Sequence, residues 1–461
     1  SAAGIEVRTL HGLARQVLLD AGCAVRLVAD RLPLLRAARR RSVLGRRPQE
    51  TEPPDVATLD TLLSLWKIED RAPPPEARAA LAEFAALLTA RGAIDFDDLV
   101  VRAAELLETD PALRERWQAR FSHLLVDEFQ DVDAAHLRLV RILAEPERNL
   151  VVVGDDDQTI YAWRLADVRR ILDFGFSYPD AVRIHLETNY RCPPAVVRAS
   201  ARLVSVNRER FAKVIRAGGG SASDRPQLLA FAANAADWPD RLASLIRLAA
   251  ATGDVCVLAR TRTELIPVML ALVRAGLPHH TSLPAPVEAE PVVALAEALR
   301  GSPAGAPPFD LLRRQRAARR WTRDEDELGD DEHAAIDAFL GWSAGFRSAD
   351  SFLAGYGAAR QRLAALRDPG APIELVTVHG AKGREWQTVV IVGFEEDRFP
   401  NRRALVGAAV LDRAIEEERR LAYVAVTRAR RQLVLVFDPA KPSRFLAEMG
   451  YRPTSGATTE R

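Results

Sequence analysis

The chain has 461 residues, 48% of them hydrophobic and 28% charged, with a formal net charge of +1. That length exceeds one simple domain, and the composition is that of a globular, multi-domain protein. Near-neutrality excludes recognition of a polyanion through a global basic field, so any such partner must be met by local basic surface. No apolar run is long enough to cross a membrane and no signal peptide opens the chain, which makes a cytoplasmic enzyme the expected class.

Cys23, Cys192 and Cys256 are scattered and odd in number, which fits neither a disulfide framework nor a zinc cluster. The lysines are Lys67, Lys213, Lys382 and Lys441, and all other basic side chains except histidine are arginines. Arginine suits phosphate and carboxylate forks, but its abundance beside alanine is read mainly as the codon bias of a GC-rich genome.

In chain order, Leu13 to about Leu107 has a helical apolar pattern, in "LARQVLLDAG", "RAALAEFAALLTARG" and "FDDLVVRAAELLE", punctuated by Pro53-Pro54 and Pro73-Pro74-Pro75. Strand-sized apolar runs follow: 123–128, 149–158, 181–191, 254–261, 373–383, 387–393 and 432–437. Such runs separated by helical stretches predict parallel sheets covered on both faces, with functional residues at the carboxyl ends of the strands. "RAGGGSASDRP" (216–226) reads as a flexible loop. Between about Gly301 and Pro372 the strand signal stops, and "FDLLRRQRAARRW" and "AAIDAFLGWSAGF" predict a small helical insertion.

The strand ends carry the chemistry. In "LLVDEFQDVD" (124–133) an apolar ramp delivers Asp127 and Glu128, the order in which nucleotide hydrolases place a Mg²⁺-side carboxylate before a base that activates water. In "GDDDQTIYAWR" (154–164), Gln158 is placed to sense a terminal phosphate, and Tyr161 and Trp163 offer flat faces for bases. Taken alone, Trp163 fits a core position better.

With "TLHGLA" (9–14), "LETNYRCP" (186–193), "VTVHGAKGREW" (376–386) and "EEERRLAYVAVTRAR" (416–430), these motifs run in the order of the superfamily-one DNA helicases of the UvrD/Rep/PcrA type. "GAIDFDDLV" (92–100) and "KPSRFLAEMG" (441–450) resemble connecting segments of that family. The resemblance covers most of the chain. It implies an α/β fold with two RecA-like parallel-sheet domains of the P-loop NTPase type, the first incomplete, with helical insertions. The implied boundaries are 1–12 and 108–185 for the first RecA-like domain, 13–107 for a helical subdomain, 186–300 and 372–450 for the second RecA-like domain, 301–371 for a reduced insertion and 451–461 for a tail.

The resemblance also implies roles. ATP and Mg²⁺ are the cofactors, with Asp127 on the Mg²⁺ side, Glu128 as catalytic base and Gln158 on the γ-phosphate. Arg191 and Arg428 resemble the two arginines that reach the γ-phosphate from the second RecA-like domain, where a planar cation stabilises the transferring group. Tyr190 would stack near the adenine and Glu385 would contact the ribose. Trp163 resembles the residue on which a single-stranded base stacks, with Tyr161, Arg164, His11 and His379 lining the DNA track and Lys382 meeting a backbone phosphate. The implied activity is ATP-driven 3′-to-5′ translocation on or unwinding of DNA, of the kind used in repair, recombination and replication restart. The alternative is a non-catalytic DNA-binding subunit of a helicase or helicase–nuclease assembly.

Three features depart from the pattern. None of the four lysines is followed by Ser or Thr, so the 461 residues contain no GxxxxGK[ST] phosphate loop. The family places that loop upstream of "TLHGLA", so three explanations stand open: a missing front segment, which is preferred, a front segment supplied by a partner protein, or a degenerate motor that has abandoned hydrolysis; the chain by itself is expected to lack ATPase activity. The second departure is the insertion at about 301–371, shorter than the helical subdomain of the family that touches duplex DNA, so translocation on a single strand is expected to survive with weak strand separation; the third is "WRLAD" (163–167), where the family usually has Trp-Arg-Gly-Ala and this chain has Leu165.

Overall fold

A computed structural model of the protein describes residues 4–44, 51–218, 228–233, 235, 237–303, 305–321, 328, 330–406, 408 and 410–451. The chain divides into two compact units, Ser1–Ala181 and Val182–Arg461.

The first unit is mostly helical. Helix Leu10–Asp20 is capped by Thr9, whose hydroxyl accepts from the Gly12 amide, and it buries Leu13, Ala14, Val17 and Leu18 on one stripe. That stripe meets Leu99, Val100, Ala103 and Leu107 of helix Phe96–Thr109, together with Trp117 and Leu139, in one core. Helices Leu32–Leu44, Val56–Glu69 and Pro75–Ala90 form a second core around Leu35, Leu59, Leu63, Leu81 and Phe84.

The two helical layers are tied together by buried charge. Asp95, 1% exposed, caps helix Phe96–Thr109 in a reciprocal box with Asp98. It also accepts from Lys67 Nζ at 2.9 Å and from Arg31 at 3.2 Å, while Arg31 reaches Asp97 at 2.5 Å and Ser64 Oγ at 2.6 Å. Burial opposes ionisation of Asp95, but the Lys67 charge and the Asp98 amide hold its carboxyl below the usual range. "GAIDFDDLV" is therefore a helix start bolted to its neighbours.

Strands β1 (Leu124–Val126) and β2 (Leu150–Val152) pair in parallel, Leu124 opposite Leu150. The register sets Leu125 beside Val151 on one face, where they are 71% and 50% exposed.

In the second unit, the run at 181–191 is only partly a strand. Pairing is confined to β3 (Thr188–Asn189) with β4 (Arg216–Ala217). Val182, Ile184 and Leu186 do alternate with polar residues, and they stand at 79–89% exposure. The opposite row rests on Phe211, with the Arg183 guanidinium 4.2 Å over its ring and the His185 ring 6.3 Å away. Alternation produced extended chain, but a ladder also needs a neighbouring edge. The loop expected at 216–226 begins with β4, and its residues 219–226 lie outside the described residues.

Five parallel strands form the main sheet in the order β5-β9-β8-β6-β7, where β5 is Leu228–Ala232, β6 Val255–Ala259, β7 Ile373–Thr377, β8 Trp386–Val392 and β9 Ala429–Phe437. β5 was not anticipated, because "LLAFA" lacks β-branched residues. Every residue of β6 is fully buried, as a central strand covered on both faces must be. The insertion is helical as expected, with Pro308–Ala318, Asp330–Ser343 and Ala349–Leu366 packed around Phe339, Phe352 and Tyr356. No helix among the described residues is long and apolar enough to cross a membrane.

Replacing Lys67 with Met leaves the buried Asp95 carboxylate with Arg31 as its cation. We expect the variant to lose about 2–4 kcal/mol of unfolding free energy, read as a lower urea midpoint. An unchanged midpoint would show that Lys67 does not stabilise this layer.

Candidate functional site

In the first unit, β1 ends in a tight turn. Asp127 Oδ1 accepts from the Glu128 amide at 2.8 Å, and its second oxygen has no partner among the described residues. Mg²⁺ takes oxygen ligands and keeps several waters, so one exposed carboxylate with a free oxygen fits its needs. Glu128 stands in the left-handed region at φ 52°, which turns its side chain out of the strand direction. The Phe129 amide then bonds to Val153 O at 2.9 Å and brings the chain back beside the end of β2.

Gln130, which sequence reasoning passed over, links the two strand ends. Its side-chain amide donates to Glu128 Oε2 at 2.5 Å and its carbonyl accepts from the Asp155 amide at 3.0 Å. A Cβ at Gly154 would lie 2.5 Å from Gln130 Oε1 and 2.8 Å from Ile171 Cδ1, so only glycine permits this approach. Asp155 in turn accepts from Gln158 Nε2 at 2.7 Å. Glu128, Gln130, Asp155 and Gln158 thus form one chain of hydrogen bonds across both strand ends. The one clue in sequence was a Gln two residues after "DE", facing a Gly-Asp pair.

The aromatic residues lie nearby in sequence and meet in space. Trp163 is 56% exposed, so it is not a core residue. The Arg164 guanidinium lies 4.7 Å over its ring, and the Tyr161 ring is 6.3 Å from it. Leu165 closes this turn at φ 63°, a conformation that glycine adopts freely and leucine only with strain. His11 is in helix Leu10–Asp20, with its ring 4.8 Å from His136 and 5.4 Å from Phe96. Burial, reinforced by His136, lowers its pKa, so at neutral pH its imidazole is uncharged. Beside it, burial works against ionisation of Asp133, yet its bonds from His136 hold its carboxyl below the usual range.

In the second unit, Asn189 Oδ1 accepts from the amides of Arg191 and Cys192 at 2.9 and 2.8 Å and so shapes the "NYRCP" turn. Tyr190 is 86% exposed. Arg191 Nε lies 2.5 Å from Glu385 Oε2, and Arg430 lies 3.6 Å from the other oxygen. The Arg191 hydrogen bond, with Arg430 adding its charge, holds the Glu385 carboxyl below the usual range. The Cys192 thiol contacts Thr427 O at 3.3 Å, and burial pushes its pKa up to about 11. Arg428 is only 1% exposed; its guanidinium donates to Val424 O, Arg384 O and Thr427 Oγ1 at 2.9, 3.3 and 3.2 Å. In this conformation it caps the end of helix Leu411–Val426.

Much of "EEERRLAYVAVTRAR" is scaffold. Glu418 grips Arg260 at 2.7 Å and accepts from the Asn401 amide at 2.9 Å, pinning the loops after β6 and β8. Glu416 accepts from the amides of Arg208 and Glu209 at 2.8 and 3.2 Å. A cavity of 1590 Å³ opens at the carboxyl ends of β5 to β9, bounded on its other side by helices Trp238–Ala250 and Asp330–Ser343. His379 lines it with Arg262 and Arg402, two residues that sequence reasoning missed. Lys382, half-buried, follows the same turn as His379.

The lowered pKa of His11 makes stability pH-dependent. Its contribution is complete above the unfolded value of about 6.5 and is lost as pH falls from there through the folded value. We therefore expect His11→Gln to lose less stability than the parent between about pH 7.5 and about pH 5.5 in urea melts. Parallel losses would assign the dependence elsewhere.

Residues 2–179 match the UvrD/REP helicase N-terminal domain, and residues 358–438 match the UvrD-like helicase C-terminal domain. The ATP-dependent DNA helicase UvrD2 of Mycobacterium tuberculosis (strain ATCC 25618 / H37Rv) is 32% identical over 82% of this chain, which spans 58% of that protein. PcrA of Leuconostoc citreum, also named an ATP-dependent DNA helicase, is 26% identical over 96% of this chain and 74% of its own length. With both halves of the family pattern matched in order, the chain belongs to the UvrD/Rep/PcrA-type family of superfamily-one helicases.

Proposed function

We propose that the protein is the DNA-engaging body of an ATP-dependent, Mg²⁺-requiring translocase or helicase that moves 3′ to 5′ on single-stranded DNA in the cytoplasm. The observation that carries this reading is the hydrogen-bonded set Glu128, Gln130, Asp155 and Gln158 across two strand ends, found in a chain whose family matches cover both ends of the helicase pattern. Relatives named ATP-dependent DNA helicases support it.

In this reading Glu128 takes the proton of the attacking water, and Gln130 fixes its carboxylate. Gln158 orients on the terminal phosphate. Asp127 would hold Mg²⁺, which supplies charge neutralisation on the phosphates. Arg191 must exchange Glu385 for phosphate, and Glu385 is then released to a ribose hydroxyl while Arg430 remains its counter-ion. Arg428 must turn out from its carbonyl partners to reach the same group. Tyr190, exposed, offers a face to adenine. Trp163, Tyr161, Arg164 and His11 form one part of the DNA track, and His379 and Lys382 another. Stacking on Trp163 is independent of base identity, as a motor on arbitrary sequence requires.

Turnover needs a phosphate loop that these 461 residues do not contain. We assign it to a further segment or a partner polypeptide. The domain limits given by the resemblance belong to the same proposal. A second reading, a non-catalytic DNA-binding subunit, is favoured by the burial of Arg428. Reading the genomic frame for GxxxxGK[ST] separates the two.

Binding can be tested on the chain itself. Trp163→Ala should weaken affinity for an oligothymidylate of about 20 nucleotides by about 1–3 kcal/mol, measured by fluorescence anisotropy; equal affinities would remove Trp163 from the track. Where the phosphate loop is supplied, Glu128→Gln should keep ATP binding and lower DNA-stimulated hydrolysis by about 10²-fold or more. Unaltered turnover would show that Glu128 is not the base.

A further inference from the structure

A smaller cavity, of 310 Å³, opens in the first unit where helix Val56–Glu69 ends and helix Pro75–Ala90 begins. Leu81 and Pro73 give it apolar lining. Trp66, 37% exposed, adds an aromatic face whose ring meets no other ring and no cation among the described residues. Two charged groups complete the lining. The exposed Asp70 carboxylate has no hydrogen bond and no ion pair among the described residues. Arg78 Nε donates to Pro73 O at 3.0 Å, which fixes its guanidinium against the turn and leaves its terminal nitrogens without an acceptor among the described residues. The cavity is also tied to the aromatic turn described above. Glu69, next to Asp70, pairs with Arg170 at 3.5 Å, and the same guanidinium donates at 2.5 Å to Leu165 O, at the end of the turn Ala162–Arg164 that carries Trp163.

We propose that this cavity takes one guanine base from a single strand lying on the Trp163 turn; the strand, though not the base chemistry, rests on the DNA-binding reading above. A bare cation would be opposed by Arg78 and a bare anion by Asp70, so the lining suits a neutral planar group with donors on one edge and acceptors on the next. Guanine is such a group. Its N1–H and N2–H are two donors for the two carboxylate oxygens, and its adjacent O6 and N7 accept from a guanidinium. Adenine would set its unprotonated N1 against the carboxylate, and thymine offers one donor only. The Trp66 ring supplies a stacking face, as in sites that hold a base turned out of its strand. Trp163 remains indifferent to base identity, while Trp66, Asp70 and Arg78 add a preference at one position of the strand.

The test uses the full chain with two probes. By anisotropy, an oligothymidylate of about 20 nucleotides carrying one central guanine should bind about tenfold tighter than the unsubstituted strand. By calorimetry, GMP should bind at least about tenfold tighter than AMP. Trp66→Ala and Asp70→Asn should each abolish the strand preference while affinity for plain oligothymidylate stays within about twofold, with thermal melts as the check on folding. An amide at position 70 accepts from N1–H and donates to a carbonyl at C2, so Asp70→Asn should reverse the order of GMP and xanthosine monophosphate, a change that loss of structure would not produce. Equal binding of the two strands by the parent, or equal binding of GMP and AMP, would overturn the proposal and leave the DNA reading standing. GMP preference without strand preference would assign the cavity to free guanine nucleotides and overturn its use on a strand. Failure of the parent to bind oligothymidylate at all would overturn the DNA reading, with the GMP and AMP comparison still deciding the base chemistry.

Discussion

Parallel pairing of strands is the constraint from which the rest follows. When β5 to β9 run in one direction, their carboxyl ends emerge on one edge, so His379, Arg260, Arg262, Asn401 and Asp438 gather there although they are scattered along the sequence. The same rule at smaller scale sets Glu128 beside Asp155: Leu124 opposite Leu150 leaves both strands ending level, and Gln130 reaches across. A shift of one residue in either register would separate these groups and turn the side chains to the other face.

Once the loops are gathered they must be held, and here buried charge does the holding. Glu418 is 2% exposed and binds two loops at once through Arg260 and the Asn401 amide. Arg419, 5% exposed, joins Glu448 at 2.7 Å to Asn207 at 2.5 Å. Such pairs are expensive to bury and contribute mainly when every donor and acceptor is matched. In the first unit, Asp95, Lys67 and Arg31 play the same part. Residues that read as chemistry in the motifs are in several cases clamps that place the residues doing it.

Exposed and half-exposed groups contrast with these clamps. Asp127, Glu128 and Tyr190 stand in solvent, Trp163 is stacked under Arg164, and Arg191 is held by Glu385. Each of these is exposed to solvent, whereas Arg428 has turned its guanidinium to backbone carbonyls. The difference between an arginine poised on a carboxylate and one folded into a helix end is a matter of conformation, set by what the rest of the fold offers each side chain.

The amino-acid sequence by itself determined the element types, because periodicity of apolar residues and capping chemistry are local: the helices of 13–107 and of the insertion, and the strands that end in "VDE", "GDDDQ" and "VTVHGAKG", stand where the pattern put them. It also determined the family, since ordered motifs survive as strings. Only the tertiary structure decided that Val182, Ile184 and Leu186 stay unpaired, that "LLAFA" becomes an edge strand beside β9, that Trp163 is exposed and Arg428 buried, and that Gln130 bridges two strand ends. Each of these depends on which distant segment lies alongside, and a partner's distance in space is not encoded in the spacing of residues along the chain.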